Sequence, residues 1–182
     1  IDLIYGFEQE EEERPNLEIE SWTGDGNYLY MSYSASDRWE RGLLRYNIET
    51  QSKEDLVLDQ NLYRNWTISD DASTIVYTRT NGDVPPEVWV SDNSFNNPRQ
   101  LTELNPWIKN VKLTKSELIS YLNVDGKKLY GILYYPIDYD PQKTYPLVAE
   151  IYETFFDNGF NANMNLLANQ GWFGFRPSVD LE

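Results

Sequence analysis

Apolar and polar residues alternate through most of this chain, the pattern of strands with one buried face. The alternation comes in two units of similar length. The first opens on the polar turn Trp22-Thr23-Gly24-Asp25-Gly26-Asn27, runs through Tyr28 to Tyr33, and continues with Leu43 to Ile48 and Asp55 to Leu58. The second repeats that order, with Trp66 to Ser73 leading into Thr74 to Thr78, then Val88 to Ser91 and Arg99 to Thr102. Trp22 and Trp66 stand 44 positions apart, Leu29 and Ile75 46, and Leu44 and Val88 44. A period of about 40 to 50 residues, with three or four antiparallel strands in each repeat, is that of a β-propeller blade. Asn81-Gly82, followed by Pro85-Pro86, marks a hairpin connection inside the second unit. Two blades cannot close a ring, which takes about 4 to 8, so the sequence reads as a piece of a longer protein.

Beyond Pro106 the pattern changes. Leu118 to Asn123 and Lys128 to Tyr135 are strand-like and meet at Asp125-Gly126, which predicts an antiparallel pair over Glu117 to Tyr135. After a connector rich in Pro, Asp and Tyr comes Pro146 to Tyr152, a nearly unbroken apolar run of the kind buried on both faces of a sheet. Phe160, Met164, Leu167 and Ala168 then fall on one face of a short helix that Gly171 can end in a left-handed turn. Trp172 to Phe175 resumes a buried strand, and strand, helix, strand is the order of a right-handed crossover. The predicted fold is therefore antiparallel β-propeller blades over residues 1–105, followed by the first strands and first helix of an α/β domain over 106–182.

Composition narrows the chemistry. With 30 Asp and Glu against 15 Lys and Arg, the 182 residues carry a formal charge of −15, which repels phosphate backbones and anionic lipid. Nucleic acid and membrane insertion are not expected as partners. Acidic residues crowd the start, from Asp2 to Glu20 with Arg14 as the lone base, and that segment is expected as a solvated loop or a strand-to-strand excursion. Ile1 to Phe7 runs into Glu8 with no basic flank, so any export signal is missing or removed. The chain contains no Cys and no His. It therefore has no disulfide, thiolate metal site or thiol nucleophile, and no Ser-His-Asp apparatus is complete within it. No metal and no organic cofactor is implied.

The combination resembles the prolyl oligopeptidase family of serine peptidases, in particular its dipeptidyl peptidase IV-like and acylaminoacyl peptidase-like branches. The resemblance rests on Tyr121-Leu122-Asn123-Val124-Asp125-Gly126-Lys127-Lys128-Leu129-Tyr130-Gly131-Ile132-Leu133-Tyr134-Tyr135-Pro136. It rests equally on Lys143-Thr144-Tyr145-Pro146-Leu147-Val148-Ala149-Glu150-Ile151-Tyr152. It implies a truncated α/β-hydrolase domain and serine-mediated cleavage of short peptides, with the propeller limiting access. The expected partners are a peptide substrate and the rest of the protein's own propeller and hydrolase domain, and the family leans towards export. It also implies that Tyr152 is the side-chain donor of the oxyanion hole. A phenol suits that role, because it keeps its proton near neutral pH and can stabilise charge that develops only in the transition state.

Several features depart from the family pattern. After Tyr152 the chain has Glu153-Thr154-Phe155-Phe156-Asp157-Asn158-Gly159 where many relatives turn through Gly and Pro. The nucleophile elbow G-x-S-x-G is absent, so nucleophile, base and acid are not in this chain, and by itself it is expected to be inactive. Ser69, Ser116, Ser120 and Ser178 lack the elbow. The run Glu10 to Glu13 lacks the aromatic surroundings of the glutamate pair that holds a substrate amine in the dipeptidyl peptidase branch. Gly24-Asp25-Gly26 precedes a strand, not the helix a dinucleotide site needs. A second reading is a non-catalytic propeller that serves as a protein-interaction module.

Overall fold

The computed structural model describes residues 15–35, 40–81, 85–151 and 171–177. The chain divides into two compact units, Ile1–Arg79 with Glu87–Glu103, and Thr80–Pro86 with Leu104–Glu182.

The first unit contains two four-stranded antiparallel sheets, each in simple sequential order. One is β1 (Asn16–Trp22), β2 (Tyr28–Ala35), β3 (Glu40–Asn47) and β4 (Ser52–Asp59). The other is β5 (Leu62–Ile68), β6 (Thr74–Thr80), β7 (Glu87–Asp92) and β8 (Arg99–Gln100). These are two meanders of the same plan, consistent with propeller blades. Each begins one strand earlier than the sequence repeat suggests. Asn16–Trp22, expected as part of a solvated acidic loop, is strand β1, in which Leu17 and Ile19 alternate with Glu18 and Glu20 and pair with Tyr33 and Met31. The tryptophans that set the repeat lie on these first strands, Trp22 at the end of β1 and Trp66 within β5.

Strand parity accounts for the core. Tyr30 and Leu43 point to one side of the first sheet and meet Tyr63, Ile75 and Tyr77 of the second in one buried cluster. Met31, Tyr33, Ala35, Leu44 and Tyr46 form a separate buried cluster on the opposite face. The second sheet brings a largely aromatic surface to this cluster: the Trp66 ring lies 5.3 Å from Tyr63 and 5.0 Å from Tyr77, and Phe95 stacks on Tyr77 at 5.1 Å. Burying side chains of this size contributes roughly 1.5–3 kcal/mol each. Two ladders slip by one residue. Glu20 is the extra residue in β1 and Leu56 in β4, and such bulges increase local twist.

One turn recurs in both sheets. Thr23 Oγ1 donates to Asp25, Asp25 accepts the Asn27 amide, and the Tyr28 amide returns to Thr23 Oγ1. At the matching place Ser69 Oγ donates to Asp71, Asp71 accepts the Ser73 amide, and the Thr74 amide returns to Ser69 Oγ. The fourth turn residue is left-handed in both, Gly26 at φ 76° and Ala72 at φ 53°. Glycine takes that conformation without cost, whereas alanine is strained there.

The second unit contains a short 3-10 helix, Pro106–Asn110, and a four-stranded sheet. Its strands are β9 (Ser116–Leu122), β10 (Lys128–Tyr134), β11 (Leu147–Ala149) and β12 (Phe173–Pro177), in the order β11-β12-β10-β9. The predicted β9–β10 hairpin is present, Lys128 facing Leu122 through to Tyr134 facing Ser116. Its loop is Val124-Asp125-Gly126, closed by the Asn123 amide on the Lys127 carbonyl, with Gly126 at φ 82°. β12 pairs antiparallel with β10 and parallel with β11. The helix expected from Phe160, Met164, Leu167 and Ala168 lies outside the described residues, while Gly171 has the left-handed φ expected of it, 82°. The run from Pro146 forms β11, outermost of the four strands in this sheet, and among the described residues Leu147, Val148 and Ile151 are 58%, 48% and 68% exposed.

Candidate functional site

Residues that bear on chemistry gather around the parallel pair β11–β12. In sheets with parallel strands, sites form beyond the carboxyl ends of those strands, and the carboxyl end of β11 leads directly to position 152. Leu147, Val148 and Ala149 face Phe173, Gly174 and Phe175. The Phe173 amide donates to the Pro146 carbonyl at 2.9 Å, and the Glu150 amide donates to the Phe175 carbonyl at 2.8 Å. Pro146 cannot donate, and it sits just before the strand where no donor is required.

At the end of this ladder Arg176 donates twice to one carboxylate oxygen. Its Nε lies 3.1 Å and its Nη2 3.0 Å from Glu150 Oε2. Arg176 is 9% exposed and lies opposite Ile132, which is fully buried. Two charge-assisted bonds from one planar group fix direction as well as distance.

The connector before β11 is held by aromatic edges. The Phe173 ring lies 5.3 Å from Tyr135, 5.4 Å from Tyr139 and 5.9 Å from Tyr145. The Tyr145 hydroxyl accepts the Asp140 amide at 3.0 Å, and the Tyr135 hydroxyl donates to Glu117 at 3.0 Å. Lys115 is paired with Glu117 and lies 4.9 Å from the Tyr135 ring. The Lys115 contact, followed by the Tyr135 hydroxyl, lowers the Glu117 carboxyl below its ordinary value. Burial, followed by the Glu117 contact, raises the Tyr135 phenol. The Tyr-rich connector is thus a seat for β12.

Tyr152, the candidate oxyanion donor, lies outside the described residues, as do Glu10 to Glu13 and Ser178. Ser69 holds the turn at Asp71 with its hydroxyl and is structural. Ser116 and Ser120 lie on β9, opposite Tyr134 and Tyr130. The Glu150–Arg176 pair escaped the sequence reading, because its partners are 26 residues apart and only the strand register joins them. Among the described residues no cluster of His, Cys, Asp or Glu could hold a metal ion, and no helix is long and apolar enough to cross a membrane.

Polar clefts occur among the described residues of the first unit. One, of about 390 Å³, is bordered by Glu18 and Glu20 of β1, Arg41 of β3 and Arg64 of β5. Another, of about 300 Å³, lies beside the recurring turns and is lined by Asp25, Asp70, Asp71 and Arg45 among others. Arg45 is committed to Glu54 and to the Asn93 carbonyl.

No family model matches the chain, and no curated protein matches it in sequence. Solved structures do match in fold. A variant of AtxE2 isopeptidase with Astexin3-dC4 bound aligns over 92% of this chain and 26% of its own, at 18% identity and a TM-score of 0.74. The dipeptidyl peptidase 4 of Porphyromonas gingivalis aligns over 95% of this chain and 26% of its own, at 16% identity and a TM-score of 0.68. The acylaminoacyl peptidase of Pyrococcus horikoshii aligns over 89% and 25%, at 15% identity and a TM-score of 0.64. The chain thus spans about a quarter of the length of the structures it matches. Its fold is that of the corresponding stretch of these peptidases, so the resemblance to the prolyl oligopeptidase family holds at the level of fold.

Proposed function

We propose that this chain is a segment of a serine peptidase that cleaves short peptides by acyl transfer. In this reading β1–β8 are the last blades of a propeller that limits substrate size, and β9–β12 open an α/β-hydrolase domain. The observation that carries it is a fold match over 92% of the chain to an isopeptidase structure, coinciding with the motif Lys143 to Tyr152 on and just beyond a strand in parallel pairing with β12.

Tyr152 then supplies the phenolic O–H that meets the oxygen of the tetrahedral intermediate. Nucleophile, base and acid come from sequence outside these 182 residues, and no cofactor is required. A neutral donor fixed in place stabilises the transition state over the ground state, and loss of one such donor costs about 10²- to 10³-fold in kcat.

The coding sequence that follows residue 182 provides the first test. A G-x-S-x-G between a strand and a helix, with a later Asp and His, agrees with this reading; a stop codon, or another blade, refutes it. In the full-length protein, a fluorophosphonate probe should label the serine, and Tyr152→Phe should lower kcat about 10²-fold. Turnover at the wild-type rate would remove the oxyanion role.

A further inference from the structure

We propose that Arg45 is a strap between the two sheets of the first unit, which holds the strained turn after β7 in place and is itself aimed by Glu54. Strand β3 sets Arg45 opposite Tyr30 of β2 and Glu54 of β4. The three therefore stand in one row across the face that meets the second sheet, where Tyr30 is buried with Ile75 and Tyr77. The Arg45 side chain is largely buried, and its Nε and Nη2 donate to Glu54 Oε2 at 3.2 and 2.5 Å. Because the guanidinium is planar, this fork fixes where the remaining nitrogen points. That nitrogen, Nη1, reaches the second sheet and donates to the Asn93 carbonyl at 3.3 Å.

The Asn93 carbonyl belongs to a turn under strain. Phe95 has a φ of 57°, in the left-handed region that is costly for a bulky side chain, while its ring lies 5.1 Å from Tyr77 and 6.2 Å from Trp66. From its own sheet the turn is braced by Asp92, which accepts the amides of Ser94 and Asn96 and the Asn97 Nδ2. From the other sheet it is braced by Arg45. The strap also has a second resting place. The cleft of about 300 Å³ beside it is lined by Arg45 and Asn93 together with the carboxylates of Asp25, Asp70 and Asp71. While Glu54 is charged, the fork keeps Nη1 on the turn; once Glu54 is neutral, those carboxylates draw the guanidinium into the cleft and off Asn93. Glu54, on one sheet, thereby governs the seating of Phe95 in the other.

The test is hydrogen exchange followed by mass spectrometry on the full-length protein, read in peptides covering residues 92–97. Arg45→Met, which keeps the stem and removes the donors, should speed exchange of that turn about 10-fold, the loss expected for one hydrogen bond from a charged group. Glu54→Gln should speed the same turn about 3- to 10-fold across the sheet boundary. Combined with Arg45→Met it should add less than about twofold, because both substitutions act through one group. Strand β6, central in the same sheet, should stay within about twofold of wild type throughout. Wild-type exchange at 92–97 in Arg45→Met, or an acceleration shared equally by β6, would overturn the strap. Additive effects of the two substitutions would overturn its control by Glu54. Where Arg45→Met does not fold, Arg45→Lys decides: lysine keeps the charge as a single point that cannot hold Glu54 and Asn93 together, so the turn should again exchange at least about threefold faster, and wild-type protection there would overturn the proposal.

Discussion

Replacing Gly42 by alanine perturbs the first sheet where its backbone approaches most closely. Gly42 lies on β3 opposite Leu58 of β4, next to the slipped register at Leu56. A Cβ built there overlaps the Val57 carbonyl oxygen and stands 2.7 Å from the carbonyl carbon and 3.0 Å from Leu58 Cδ2. The obstacle is mostly backbone and cannot rotate aside, so β4 must move outward. Giving up about two ladder hydrogen bonds costs about 2 kcal/mol, and overpacking adds about 1–3. Alanine's smaller entropy loss on folding returns about 0.5–1. The net destabilisation is about 2–4 kcal/mol, felt locally, so hydrogen exchange followed by mass spectrometry is the suitable assay. At about 1.4 kcal/mol per tenfold, peptides covering Glu40–Asn47 and Ser52–Asp59 should exchange roughly 30- to 700-fold faster. Gly24→Ala is the control: its Cβ meets nothing within 4 Å and its φ is not left-handed, so it should exchange as wild type. Wild-type protection in Gly42→Ala would refute the close approach of β3 to β4.

Ala72 occupies a left-handed φ of 53° where the equivalent residue is Gly26, so Ala72→Gly should stabilise the second sheet by about 0.5–1 kcal/mol, read as slower exchange across β5 and β6. The Asp71 carboxyl is lowered from 3.8 to about 2, first by the Ser69 hydroxyl and then by the Ser73 amide. Its contribution to stability is complete above the unfolded value and is lost as pH falls through about 2. Between pH 5 and 2, Asp71→Asn should therefore lose less stability than wild type, and equal losses in acid-denaturation curves would contradict the assigned turn.

What could be read from the sequence depended on how local each determinant is. The hairpin over β9 and β10 was evident because Asp125-Gly126 and the flanking alternation act over a few residues, and β12 because Trp172 to Phe175 is apolar throughout. β1 and β5 were missed. In β1 the alternation of Leu17 and Ile19 with Glu18 and Glu20 was present, but the density of carboxylates suggested solvent, and Ile19 is indeed 66% exposed. The apolar run of β11 marks it as a strand, and it has more surface to bury than the other described strands of its sheet cover. The Glu150–Arg176 contact needs the register Ala149 to Phe175, which no local pattern encodes, and the close approach at Gly42 likewise depends on how β3 and β4 are paired.

The turn shared by the two meanders has a near copy outside them. At Asn123 the same tight reversal carries a left-handed glycine, Gly126, in its fourth place, while the bracing oxygen comes from the first residue and the closing pair sits one residue earlier. That copy serves a sheet with a parallel pair, β11 and β12. Anyone tallying repeats by this punctuation would therefore find three where the architecture has two; the spelling marks a reversal of direction, and only the spacing between successive reversals tells one sheet plan from another.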